Sequence, residues 1–286
     1  MREVRAVWGL LAAELLAVLV TYSRLPPSEL YSVTGTGFRA GLSRVVVELN
    51  FPDALIALGI LGVLWPYIRS GLHPLAGVAA LMCAFVVLPG VVKQDDLDAR
   101  WLNAVPAVGV AIALALSFGA DVPRGSARGD RIRIGLGALL VLLAAPWIAA
   151  ALGFYLDGVP VLHWLFQTGR LASFHDPLHH AVHHGIHHGL QGLLFALSAL
   201  VLSRVPSRAL GYLSLMLAYG MANMLNDGWL EQVVERGWTS NTVPSVLGFS
   251  ANWLWGAVLV TAAAVWAAAR RGGLAPRPPR TAARPS

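Results

Sequence analysis

Seven of the chain's nine histidines fall between His175 and His188. The stretch reads His-Asp-Pro-Leu-His-His-Ala-Val-His-His-Gly-Ile-His-His-Gly. Neutral imidazole is the commonest metal ligand. Histidines at i and i+4 of a helix lie one above the other, where two can grip one ion. Asp176-Pro177 has the form of a helix start, with Asp as N-cap and Pro in the first turn. The helix it predicts runs to residue 202, because Pro206 cannot continue it. At about 100° per residue, His175, His179, His183 and His187 form one ladder. His180, His184 and His188 form a second, with Asp176 beneath it. Gly185, Gly189 and Gly192 fall on the opposite side, where small residues let a neighbouring helix approach. No Lys or Glu interrupts the cluster, so a metal site is expected ahead of a solvated helix end that titrates near neutrality.

One helix cannot complete a coordination sphere; two ligands at i and i+4 are realistic and the rest come from elsewhere. The candidates on the same side of the predicted membrane are His163, Asp95, Asp96, Asp98, Asp227, Glu231 and Glu235. The last three are spaced four apart, so a helix there aligns them as one carboxylate stripe. The metal ligands expected are therefore His163, His175, His179, His180, His183, His184, His187 and His188. The expected cofactor is iron, copper or zinc, with room for more than one ion. Asp176, Glu231 and Glu235 are the candidate catalytic carboxylates, and Asp176 could instead orient a ligand through its ring N–H.

The spacing His-x-x-His-His occurs twice, at His180/His183/His184 and at His184/His187/His188, after His175-x-x-x-His179-His180. Locally these resemble the histidine boxes of membrane-bound di-iron desaturases and hydroxylases. The resemblance covers about 15 residues in a chain of 286. Those families spread their boxes over several segments, whereas here the boxes are fused in one. What is shared is a ligand logic, not membership.

The elements that must position these residues are apolar helices. The chain is 56% hydrophobic and 13% charged, with mean hydropathy +0.63, against about a quarter charged in an ordinary soluble domain. Eight runs near the bilayer-spanning length of about 20 residues occur at 6–22, 52–68, 74–92, 103–119, 134–155, 178–202, 209–225 and 246–269. They lack the alternation of a membrane barrel. The fold class expected is an all-α, polytopic integral membrane bundle of about eight helices. Residues 1–271 form its single domain and 272–286 a disordered Pro/Arg-rich tail. The segment 38–49 is expected to lie along the interface.

With the N-terminus inside, 14 of the 21 basic residues fall on the inner side against three acids, Glu3, Asp121 and Asp130. That bias puts both termini in the cytoplasm, and the +6 net charge reads as a positive-inside signal, not as a nucleic-acid footprint. Tyr22-Ser23-Arg24 makes a poor signal-peptide cleavage site, so the first run reads as a retained helix. A lone cysteine, Cys83, excludes an internal disulfide or thiolate cluster.

Three functions fit a multi-pass protein of the plasma or inner membrane with a histidine-rich outer face. The first is a metal-dependent enzyme, oxygen-activating or hydrolytic, acting on a lipid or other apolar substrate. The second is transport or delivery of a transition metal, which needs polar groups through the membrane. Glu14 is the one obvious charge inside a predicted span, with Gln191, Asn223 and Asn252 as further polar candidates. The third is a non-catalytic subunit of a membrane complex. No phosphate loop, nucleophile triad or nucleotide fingerprint is present.

Overall fold

In the computed structural model, the described residues are 1–30, 33–93, 96–156, 158–161, 182–246 and 251–271. Their regular structure is helical, with no named strand among them. The helices are α1 (Arg2–Arg24), α2 (Gly37–Asn50), α3 (Asp53–Leu64), α4 (His73–Ala84), α5 (Ala104–Phe118), α6 (Asp130–Leu143), α7 (Ala145–Ala151), α8 (His188–Leu202), α9 (Leu210–Trp229) and α10 (Trp253–Arg271). Four helical stretches are long and apolar enough to cross a membrane: Arg2–Arg24, Ser70–Val87, Trp101–Phe118 and Trp253–Arg271. Two bent pairs bring the number to six if each pair is one span.

The exterior is apolar and suited to lipid contact. Leu81 is 75% exposed, Val260 71% and Ile134 70%. Charge is turned inward instead: Glu14, Arg44, Glu48 and Asp53 are all buried. This inversion suits a lipid environment, where an outward apolar side chain costs nothing and an outward charge costs several kcal/mol at about the bilayer centre.

Three expectations from the sequence change shape. Residues 38–49 expose one side, Phe38 and Leu42, and bury the other. They form most of α2, which packs along α1, and Arg44, Val47 and Glu48 are buried. Gly37–Asn50 and Asp53–Tyr67 pass the membrane-span test together, bent by 41° at the Phe51–Pro52 break. The run at 134–155 is likewise two pieces, α6 and α7, bent by 60°. Pro146 stands in the first turn of α7, where its missing N–H and ring end the preceding ladder. The run at 178–202 is helical only from His188 among the described residues.

Contacts sort the helix ends into two groups. At one end the Met1 amino group donates to Val122 O at 3.2 Å, Arg204 pairs with Glu3, and Tyr67 donates to Pro206 O. At the other, Thr21 Oγ1 donates to Ala151 O at 2.5 Å and Ile186 N donates to Tyr22 Oη at 3.3 Å. The second end carries the histidines.

The tightest helix pair is α8 with α9. Gly192 and Gly220 face each other across it. A Cβ built on Gly192 would stand 2.6 Å from Gly220 O, and one on Gly220 would strike Gly192 O in turn. Only hydrogens fit between these backbones. That close approach fixes the register in which α9 presents its C-terminal carboxylates to the start of α8.

Candidate metal centre

The chain enters α8 through 182–187 without helical structure. Gly185 sits at φ +110°, a conformation that side chains beyond glycine rarely adopt. Its backbone lies against the Tyr22 ring and hydroxyl. The predicted ladders therefore do not exist as helix faces at His183, His184 and His187. The turn at Gly185 sends these histidines in different directions.

His187 turns toward α9. Its Nδ1 lies 2.7 Å from Glu231 Oε1 and 3.9 Å from Asp227 Oδ2. Its Nε2 contacts His183 O at 3.1 Å. The ring thus lies between a carbonyl and two carboxyl groups. His187, Asp227 and Glu231 are all buried, and their ligand atoms lie within 4.8 Å of one another, close enough to hold a metal ion. Among the described residues this is the one such group.

Each ligand is held from behind. Glu231 Oε2 accepts from Trp147 Nε1 at 2.8 Å, and Trp147 is itself buried. Asp227 Oδ2 accepts from Gly189 N at 2.6 Å. That N–H belongs to the first turn of α8, whose own N-cap residue makes no side-chain cap bond. Asp227 thus satisfies an orphan donor and sits at the positive end of the helix dipole. Glu231 reaches the same spot because α9 continues through a π-helical turn, Leu230–Val234. Such turns recur at functional sites.

Burial lowers the His187 pKa against the pull of Asp227, and lowers His183 further. Both imidazoles are thereby kept in the neutral form that binds metals. Burial pushes Glu231 well above the usual carboxyl range and raises Glu235 to about 7, with His187 opposing that rise.

The other sequence candidates divide as follows. The His183 ring centroid lies 4.3 Å from that of His187, beside the centre. His184 faces away: its Nδ1 is 3.6 Å from Glu29 Oε2 and its ring is 3.8 Å from that of Tyr155. His188 Nδ1 meets Gln191 Oε1 at 3.2 Å, and Gln191 Nε2 donates to Glu48 Oε2 at 3.2 Å. Asp98 accepts from Thr34, and Asp96 from the Asp98 backbone. His163, His175, Asp176, His179, His180 and Asp95 lie outside the described residues. The predicted carboxylate stripe does gather Asp227 and Glu231 on one ion-sized spot.

Sequence reasoning missed Trp147, Gly189, Arg44 and Glu48. Trp147 gave one signal: a buried indole N–H needs an acceptor, and the acids capable of accepting were few. Arg44 and Glu48 are an i, i+4 pair at 2.5 Å, both fully buried. Glu14 and Asp53 are buried with them, so Glu14 is not a solitary interior charge.

Comparison with protein-family models, with curated proteins and with solved structures found no match to the chain.

Proposed function

We propose that the protein is a multi-pass membrane enzyme that uses a metal ion held by His187, Asp227 and Glu231 at the outer membrane face, acting on an apolar or lipid substrate. The observation that carries this reading is the convergence of three buried side chains, His187, Asp227 and Glu231, whose ligand atoms lie within 4.8 Å of one another. One imidazole and two carboxylates form a borderline-to-hard donor set, which favours zinc or iron over copper. Three protein ligands leave a position for water or substrate, as catalytic sites require. A bound metal would supply Lewis acidity and a water made acidic enough to attack at neutral pH. Glu235, pushed up to about 7 by burial, is suited to taking a proton from such a water. Trp147 and Gly189 N orient the two carboxylates, which is the work of outer-shell partners.

Eight passes with both termini in the cytoplasm accompany this reading. Counting α2–α3 and α6–α7 as one pass each, and adding α8 and α9, gives that number. The end of the bundle shared by Met1, Tyr67, Val122 and Arg204 is the one with the excess of arginine, and so the inner one by the positive-inside bias.

The test is metal content. Untagged protein purified in detergent should hold about one zinc or iron per chain by mass spectrometry, as a three-ligand site predicts. His187→Ala and Asp227→Asn should lose it. Wild-type protein without stoichiometric metal would overturn the enzyme reading.

One observation favours metal transport as a second reading: Arg44, Glu48 and Asp53 join Glu14 as buried charges inside the bundle. Uptake of zinc by liposomes containing the protein, abolished in Glu48→Gln, would support it. No flux would set it aside.

A further inference from the structure

A cavity of about 1190 Å³ lies between α2, α3, α8, α9 and α10. Ligand pockets for compact molecules usually span about 300–1,000 Å³, so this space is generous for a small polar metabolite. Most of its wall is hydrocarbon: Leu55 and Leu58 from α3, Phe195 from α8, Leu215 and Met216 from α9, and Trp255 from α10. Val87 and Leu88, both exposed, also line it. The cavity therefore reaches the surface beside Val87 and Leu88, just beyond α4.

Its polar wall is small. It includes His188, Gln191 and Arg44, with Tyr219, Ser245 and Asn252 elsewhere on the lining. Arg44 is neutralised by Glu48 at 2.5 Å, and Gln191 bridges His188 to Glu48. The wall offers hydrogen bonding without a net positive charge. Tyr212 also lines the cavity, but its hydroxyl is already given to Leu55 O at 2.9 Å. His188 follows His187 directly in the chain, and consecutive Cα atoms are about 3.8 Å apart. One residue turns to the metal centre and the next to the cavity.

We infer that this cavity binds a long-chain lipid with an uncharged ester or amide head, its tail among the α3, α8 and α9 side chains and its head at His188 and Gln191. A hydrocarbon tail fits the wall, and the exposed apolar rim at Val87 and Leu88 suits its entry. Glu48 cancels the charge of Arg44, while Arg44 Nε and Nη1 make no hydrogen bond, so the wall offers donors to a neutral head without a net cationic site for an anionic one. As the substrate site of the enzyme proposed above, the cavity rests on that reading; as a lipid site it stands apart from the metal.

The probe is a monoacylglycerol with a photoreactive diazirine midway along its chain, used on full-length protein in detergent and mapped by peptide mass spectrometry. Labels should concentrate on Phe195, Tyr219 and Trp255. Excess monoolein should suppress them, and oleate should compete about tenfold more weakly, a difference of about 1.4 kcal/mol. Leu58→Trp and Met216→Phe, which narrow the cavity, should each cut labelling while elution and melting stay as in wild type. Gln191→Leu should weaken monoolein competition by about five- to tenfold, the worth of one hydrogen bond. His187→Ala should lose metal yet keep the labelling. Labels confined to outward residues such as Leu81 and Val260, or unchanged in both narrowing variants, would overturn the lipid site. Equal competition by oleate would overturn the uncharged head. Labelling without metal in wild type would retain this site while removing the enzyme reading.

Discussion

Glu231 holds His187 with one oxygen and Trp147 with the other. The His187 Nδ1–Glu231 Oε1 distance is 2.7 Å and the Trp147 Nε1–Glu231 Oε2 distance is 2.8 Å. Two residues far apart in sequence thus meet on one buried carboxylate. Trp147→Phe keeps the ring and removes the donor. Metal affinity should fall about 10–100-fold, as when an outer-shell partner is lost. Competition with a zinc chelator measures this, and unchanged affinity would remove Trp147 from the centre.

Asp227 has two duties, toward His187 and toward Gly189 N. Asp227→Asn keeps an oxygen that can cap α8 but loses its charge. Metal binding should drop sharply while thermal stability of the metal-free protein changes by only about 1 kcal/mol. Asp227→Ala should lose both. Equal stability loss in the two variants would show that the charge, not the cap, holds α8.

The pH dependence of the metal-free protein follows from opposing groups. Glu231 and Glu235 are pushed up by burial, Glu235 to about 7. The folded state then binds their protons more tightly than the unfolded one, so their contribution is lost as pH rises through the folded pKa. His183 and His187 are lowered by burial, so theirs is lost as pH falls below the ordinary histidine value. Above about pH 6.5 only the carboxyl groups still change. The melting temperature of chelator-treated protein should fall between about pH 6.5 and 8. Saturating zinc should flatten or reverse that slope, because a cation replaces the proton. A metal-free melting temperature that rises across this window would contradict the buried-carboxyl account.

Arg44 and Glu48 should show the asymmetry of a buried ion pair. Arg44→Met alone leaves an unmatched carboxylate and should cost about 3–5 kcal/mol. Arg44→Met with Glu48→Met should recover most of that, because apolar packing often replaces such a pair at little cost. Denaturation in mixed micelles reads both. An equally unstable double variant would assign the pair a further role in Gln191 or Glu14 contacts.

The α8–α9 approach is a packing prediction. Gly220→Ala places a methyl against Gly192 O, a backbone atom that cannot swing aside. Overpacking of this kind costs about 1–3 kcal/mol. It should also weaken metal binding, because α9 carries two of the three ligands. A variant that melts earlier yet binds metal normally would separate helix packing from the centre.

Much of this molecule is written locally. Apolar runs of near-spanning length, without alternation, dictate helices with lipid-facing surfaces, and the distribution of arginine along the chain sets the bias for orientation. The four-residue spacing of Asp227, Glu231 and Glu235 marks an acidic face, and the concentration of histidine marks where candidate metal ligands gather. What periodicity cannot supply is a choice among equivalent residues. His183, His184, His187 and His188 look alike in sequence, yet the φ of +110° at Gly185 breaks their register and sends only His187 to the two acids. The π-helical turn at Leu230–Val234 decides how Glu231 is aimed. Residues 38–49 read as an interfacial helix because their apolar face is narrow; burying Arg44 and Glu48 becomes affordable only when each meets the other. Helix formation depends on neighbours in the chain, so the sequence itself determined it. Ligand choice and charge burial depend on partners brought from distant segments, and only the tertiary structure decided those.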